Sequence, residues 1–113
     1  MISGKFIGQL FQSRDMMHIA HLQTTSFAEH KALGAYYDGI LDLTDKFTEV
    51  YFGRAKRCEI IIPESKNMNA VDHLKEMQAL VDGERANYTS ELQNIMDEML
   101  ALINRTLYLL TLV

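Results

Sequence analysis

The sequence predicts an all-α domain, a four-helix bundle in which a crossover connection joins helices two and three. Three observations predict it. Apolar residues recur at three- and four-residue steps through four separate stretches. The composition, with 48% hydrophobic residues, one Pro and no Trp, favours helix over sheet. Ser26 with Glu29 three residues on fits a capping box, which writes a helix start after a polar break. At 113 residues the chain is expected to be a single domain over 1–113, with a real core but little length to spare for long helices.

The first helix is predicted over about 4–22, where Phe6, Ile7, Leu10, Phe11, Met17 and Ala20 form the apolar stripe. His18 and His21 fall in its last turn, where the helix dipole favours a cation. Gln23-Thr24-Thr25-Ser26 breaks the pattern. The second helix is predicted over about 27–52, with Leu33, Tyr36, Ile40, Leu43, Phe47 and Val50 facing inward. Gly34 and Gly39 each cost about 1 kcal/mol inside a helix, and close approach of a neighbouring backbone at a dimer seam is one use for them. Gly53 is expected to cap the helix end.

Residues 54–67 are expected to cross the bundle. Ile60-Ile61-Ile62 before Pro63 reads as extended chain, because the residue before proline avoids helix. Arg54, Lys56 and Arg57 read as a solvated charge cluster. The third helix is predicted over about 69–86 on Val71, Leu74, Met77 and Val81. The fourth is predicted over about 90–112, capped by Ser90 with Gln93, on Leu92, Ile95, Met96, Met99, Leu102, Ile103, Thr106 and Leu110.

Charge and composition exclude several functions. A net charge of −4 and the lack of a lysine-rich tail argue against nucleic-acid binding. A single Cys58 makes no intrachain disulfide and suits a reducing, cytoplasmic compartment. The first five residues lead into an amphipathic pattern, so no secretory leader is expected. The apolar C-terminal run from Leu107 is too short to span a bilayer.

The residues with chemistry to offer cluster in 18–49. On helix two, His30 precedes Asp45 by 15 positions and Glu49 by 19. At about 100° per residue the three side chains fall within about 100° of one another. At about 1.5 Å per residue, His30 and Asp45 stand about 22 Å apart, too far to share an ion within one helix. An antiparallel second copy across a two-fold axis would bring the histidine end of one chain to the carboxylate end of the other. Taken by spacing alone, Asp38, Asp42, Asp45 and Glu49 also read as one solvated stripe. The pair His73 and Glu76, one turn apart, is a weak signal for a site. Tyr36, Tyr37 and Tyr51 read as core or interface.

The pattern H-x14-D-x3-E, with a further His at the end of the preceding helix, resembles the Dps-like miniferritins of the ferritin-like superfamily. The run from Asn87-Tyr88-Thr89-Ser90 to Leu109-Leu110 also looks like the last helix of that family. The resemblance covers about two thirds of the chain. It implies a ferritin-like bundle and an iron-oxidising centre shared between subunits. His21 and His30 of one subunit and Asp45 and Glu49 of its mate would be the ligands, with His18 an alternative to His21. Iron is the implied metal, with Zn(II) or Mn(II) as replacements. A homo-oligomer is implied, at least a two-fold dimer, with a closed shell as the larger form.

Three features depart from that family. His21 and His30 are closer in sequence than is usual there. Gly34 stands where many members carry a further acidic ligand. The stretch between helices two and three shows no short helix. The sequence therefore leaves two functions open: Fe(II) oxidation for iron storage or detoxification, and a non-enzymatic ferritin-like oligomer that binds a protein or small ligand.

Overall fold

The computed structural model describes residues 3–113. The expectation of no leader rests partly on Met1 and Ile2, which lie outside the described residues. Four helices form: α1 (Ser3–Gln23), α2 (Phe27–Arg54), α3 (Ala70–Glu84) and α4 (Ser90–Leu110), with a single 3-10 turn at Arg85–Asn87. No strand occurs among the described residues. α1 packs on α2 and α3, and α4 packs on the same two helices from the other side. α2 has 28 residues and is about 42 Å long at the α-helical rise. It therefore runs the length of a molecule 43 Å in its longest dimension. No helix among the described residues is long and apolar enough to cross a membrane.

The apolar stripes meet in one core. Phe6, Ile7 and Leu10 of α1 meet Leu33, Tyr36, Ile40 and Phe47 of α2, Leu74 and Val81 of α3, and Met96, Met99 and Ile103 of α4. Each such side chain contributes about 1.5–3 kcal/mol when fully buried. One end is closed by an aromatic cluster. Phe47 lies edge-on to Phe6 at 5.4 Å and to Tyr88 at 5.1 Å. Tyr88 sits in the α3–α4 link, and its hydroxyl donates to Ser3 Oγ at 3.2 Å. It thereby ties the link to the first turn of α1. Val71, expected inside, is exposed.

Helix ends differ from expectation in two places. Gly53 is not a cap: α2 continues through Arg54, and Ala55 leaves the helix in an extended conformation. No glycine among the described residues has the positive φ that a left-handed cap requires. At the start of α4, Thr89 rather than Ser90 is the N-cap, without a side-chain cap bond. Gln93 instead donates from Nε2 to the Arg85 carbonyl at 3.0 Å, across the turn. Tyr88 is extended, at φ −121° and ψ 161°, and this separates α3 from α4.

The connection after α2 is extended and lies along α1. The Ile61 N–H donates to the Gly4 carbonyl at 3.1 Å, and Gln12 Nε2 donates to the Glu64 carbonyl. Gly4, Gly8 and Gln12 are spaced by four, so they share one face of α1. A Cβ at Gly4 would collide with the Glu59 carbonyl, and one at Gly8 with the backbone of Ile61 and Ile62. The two glycines form a trough in which the connecting backbone rests on the helix. Ile60 packs against the core. Ile61 and Ile62 face outward, 52% and 56% exposed.

Candidate functional site

The turn between α1 and α2 fixes the positions of the histidines. Ser26 Oγ accepts from the Glu29 N–H at 3.2 Å, as the capping pattern requires. The Glu29 carboxylate does not return to Ser26. It accepts from the Thr24 hydroxyl at 3.0 Å, and Thr24 Oγ1 in turn accepts from the Ser26 N–H at 3.1 Å. The Thr24 N–H continues the α1 ladder to the Ala20 carbonyl at 3.0 Å. These bonds among Thr24, Ser26 and Glu29 hold the last turn of α1 against the first turn of α2.

That closure brings His21 and His30 together. Their rings stack with centroids 3.7 Å apart and planes 16° from parallel. The stack is reciprocal. His30 Nδ1 donates to the His21 carbonyl at 2.7 Å, and His21 Nδ1 donates to the His30 carbonyl. A carbonyl only accepts, so both Nδ1 atoms carry the proton. When the rings are neutral, each Nε2 keeps an open lone pair, and no protein group among the described residues engages either one.

Gly34 makes room for this arrangement. A Cβ there would lie 3.0 Å from His21 Cε1 and 3.1 Å from His21 Nδ1. The position where an acidic residue was looked for is therefore filled by the His21 ring. Gly39 receives Leu102, whose Cδ2 would stand 2.9 Å from an added Cβ. Both close approaches occur inside the chain, which corrects the reading of these glycines as room for a second chain's backbone. Beside the pair, His18 stacks on Tyr37 at 4.0 Å and 11°. The Arg14 guanidinium lies 5.4 Å from the Tyr37 ring centroid, within cation–π range. His18 thus packs its ring face on Tyr37. Phe27, 75% exposed, and Leu22, 66% exposed, flank the histidine end.

Asp45 and Glu49 are exposed on the far half of α2. They make no ion pair among the described residues, whereas Lys46 between them pairs with Glu98 at 3.5 Å. Asp38 and Asp42 are exposed as well. The four expected ligands therefore form two separated halves, His21 with His30 and Asp45 with Glu49. Among the described residues, no group of three or more His, Cys, Asp or Glu could hold a metal within one chain.

A second polar cluster was not read from the sequence as such. Ser13, Tyr36 and His73 meet in the interior. Ser13 Oγ lies 2.7 Å from the Tyr36 hydroxyl and 2.7 Å from His73 Nε2. Ser13 occupies a position on the α1 stripe between Leu10 and Met17, and His73 precedes Leu74 on the α3 stripe. Polar residues at core positions were the available signal. Burial holds the His73 imidazole below its ordinary pKa and pushes the Tyr36 hydroxyl far up. His73 does not pair with Glu76, which is exposed and bound to Lys66 at 2.7 Å.

Residues 21–110 match a family of unknown function, DUF5856. The chain is also similar to a protein of Enterobacteria phage T4 described as an uncharacterized 14.6 kDa protein in the mobD-ri intergenic region. That relative is 28% identical over 112 residues, which cover 96% of this chain and 87% of the phage protein. No solved structure matches the chain.

Proposed function

The chain belongs to the DUF5856 family, and we propose that it is a ferritin-like, two-fold helical protein that takes Fe(II) as its substrate. The ion binds between His21 and His30 of one subunit and Asp45 and Glu49 of the mate, and its oxidation serves iron storage or detoxification. The observation that carries the reading is the exchanged pair of bonds between each ring's Nδ1–H and the other residue's carbonyl. Histidines that bind metals commonly donate their second N–H to a carbonyl or carboxylate, which sets the tautomer and aims the free nitrogen. His21 and His30 share that tautomer, and no other group among the described residues engages either Nε2.

Two further observations support it. The connection travels along α1 from Gly4 towards Gln12 and so returns the chain to the end where α2 began. α2 and α3 then run in the same direction, as in bundles with one long crossover. Asp45 and Glu49 are exposed carboxylates that form no ion pair among the described residues, suited to a cation supplied across a two-fold axis. Imidazole with carboxylate suits Fe(II), and Zn(II) or Mn(II) less selectively.

The stack sets a condition on binding. Each Nε2 lone pair lies in its ring plane, and two nearly parallel rings with centroids 3.7 Å apart do not aim both lone pairs at one ion. Loading a shared ion requires one ring to turn out of the stack and release its carbonyl. Anaerobic Fe(II) titration, with bound metal counted and oxidation followed by absorbance on admitting air or peroxide, tests the function. Saturable binding that shifts both His21 and His30 ring signals is expected. A protein that takes up no iron and oxidises none refutes the reading.

The second reading is a non-enzymatic helical module. It is favoured by the same stack, whose Nδ1 hydrogen bonds are satisfied without an ion, and by exposed Leu22 and Phe27 beside it. A wild-type dimer without iron affinity would select it.

A further inference from the structure

The chain of Tyr36, Ser13 and His73 crosses three helices, with α2, α1 and α3 each supplying one member. Ser13 is completely buried and His73 is 3% exposed. A serine beside a histidine suggests a nucleophile, but no substrate reaches a hydroxyl sealed inside the bundle. The alternative use is as a lock between helices. Neutral His73 accepts at Nε2 from the Ser13 hydroxyl, and Ser13 Oγ accepts from the Tyr36 hydroxyl. This order satisfies both oxygens. His73 belongs to the first turn of α3, just after the connection, and joins that turn to the α1–α2 hairpin.

Protonation changes the balance. A cationic His73 must donate at Nε2, and one hydroxyl proton of the Ser13–Tyr36 pair is then left without an acceptor. A buried charge also needs a counter-charge. The charged groups that act on His73 are Glu76, one turn along α3, and Lys66 from the connection. Glu76 is exposed and already bound to Lys66, and Lys66 opposes a second cation. Tyr36, facing from α2 through Ser13, is neutral throughout this range. We propose that His73 is an acid-sensitive latch, whose protonation releases the first turn of α3 and the adjoining end of the connection from the α1–α2 hairpin.

The sign follows from burial. The folded-state pKa of His73 is lowered, so its contribution is complete above the unfolded value of about 6.5 and is lost as pH falls below it. Between the unfolded and folded pKa values, the opening equilibrium should increase about tenfold per pH unit. Hydrogen exchange of the full-length protein, expressed as protection factors at pH 7.5 and 5.5, reads this segment by segment. The hydrogen-bonded amides at the start of α3, 72–77, should lose protection in acid by several-fold more than the middle of α1 and α2. His73→Gln keeps a hydrogen-bonding side chain that does not charge, and it should remove the pH dependence. Equal protection at both pH values in the wild type, or the same acid loss in His73→Gln, overturns the proposal. Should His73→Gln fail to fold, NMR titration of the wild-type His73 ring decides. Titration below the ordinary range, coincident with the loss of protection, supports the latch, and titration at or above that range refutes it.

Discussion

Substituting Gly8 by alanine tests how the connection is seated. The new Cβ would strike the Ile61 carbonyl and approach the Ile62 nitrogen. Both are backbone atoms of a segment held on either side of the contact, by Ile61 N–H to Gly4 and by Gln12 to Glu64. Overpacking of this kind costs about 1–3 kcal/mol, and displacing the strap loses one or two hydrogen bonds worth about 0.5–1.5 kcal/mol each. Alanine returns about 1 kcal/mol of helix propensity. The net expectation is a loss of about 2 kcal/mol. Gly53→Ala is the matched control, since nothing lies within 4 Å of its added Cβ, and it should gain about 0.5–1 kcal/mol. With an unfolding entropy of about 2.1 cal/mol/K per residue, 1 kcal/mol is about 4 °C for this chain. Thermal unfolding followed by circular dichroism should place Gly8→Ala about 8 °C below the wild type and Gly53→Ala about 2–4 °C above it. Equal stabilisation by both substitutions would mean that the connection does not rest on α1.

Other perturbations address the site end and the interior. Ser26→Ala should cost about 1 kcal/mol in urea unfolding, because the Glu29 N–H loses its cap. Gly34→Leu should expel the His21 ring and lose the hydrogen-bonded Nδ1–H signals of both histidines in NMR spectra, while the helical content is retained. Tyr36→Phe removes one buried hydrogen bond and should destabilise by about 1 kcal/mol. The raised Tyr36 pKa favours the protonated form in the folded state. Its contribution is therefore complete below the unfolded value of about 10 and is lost as pH rises above it. Denaturation between pH 9 and 11 should show a falling wild-type stability and a flatter Tyr36→Phe.

The helices were legible because their apolar spacing is regular. Leu33, Tyr36, Ile40 and Phe47 follow it and are fully buried. The meeting of His21 and His30 was legible in part, since a short polar break leaves two helix ends little freedom. Their stacking was not, because it depends on Gly34, whose use appears only when the ring that fills its missing side chain is known. Gly4 and Gly8 were opaque for a similar reason. The backbone they accommodate lies more than fifty residues away in sequence. His73 read only as one half of a weak pair with Glu76, and its partner Ser13 lies 60 residues away on another helix. Gly53 misled in the opposite direction: a glycine near a helix end suggested a cap, but α2 passes through it in ordinary helical geometry.

The proposed iron site is divided between subunits, and mixed subunits probe that division. His30→Ala and Asp45→Ala should each abolish Fe(II) binding and oxidation as homodimers, because every site loses a ligand. A mixed dimer of the two variants retains one complete set, the histidines of the Asp45→Ala chain with the carboxylates of the His30→Ala chain. Fe(II) titration of that mixed dimer should recover one site of the two, with oxidation at about half the wild-type rate if the sites act independently. A mixed dimer that recovers nothing, beside a wild type that binds iron, contradicts the shared site.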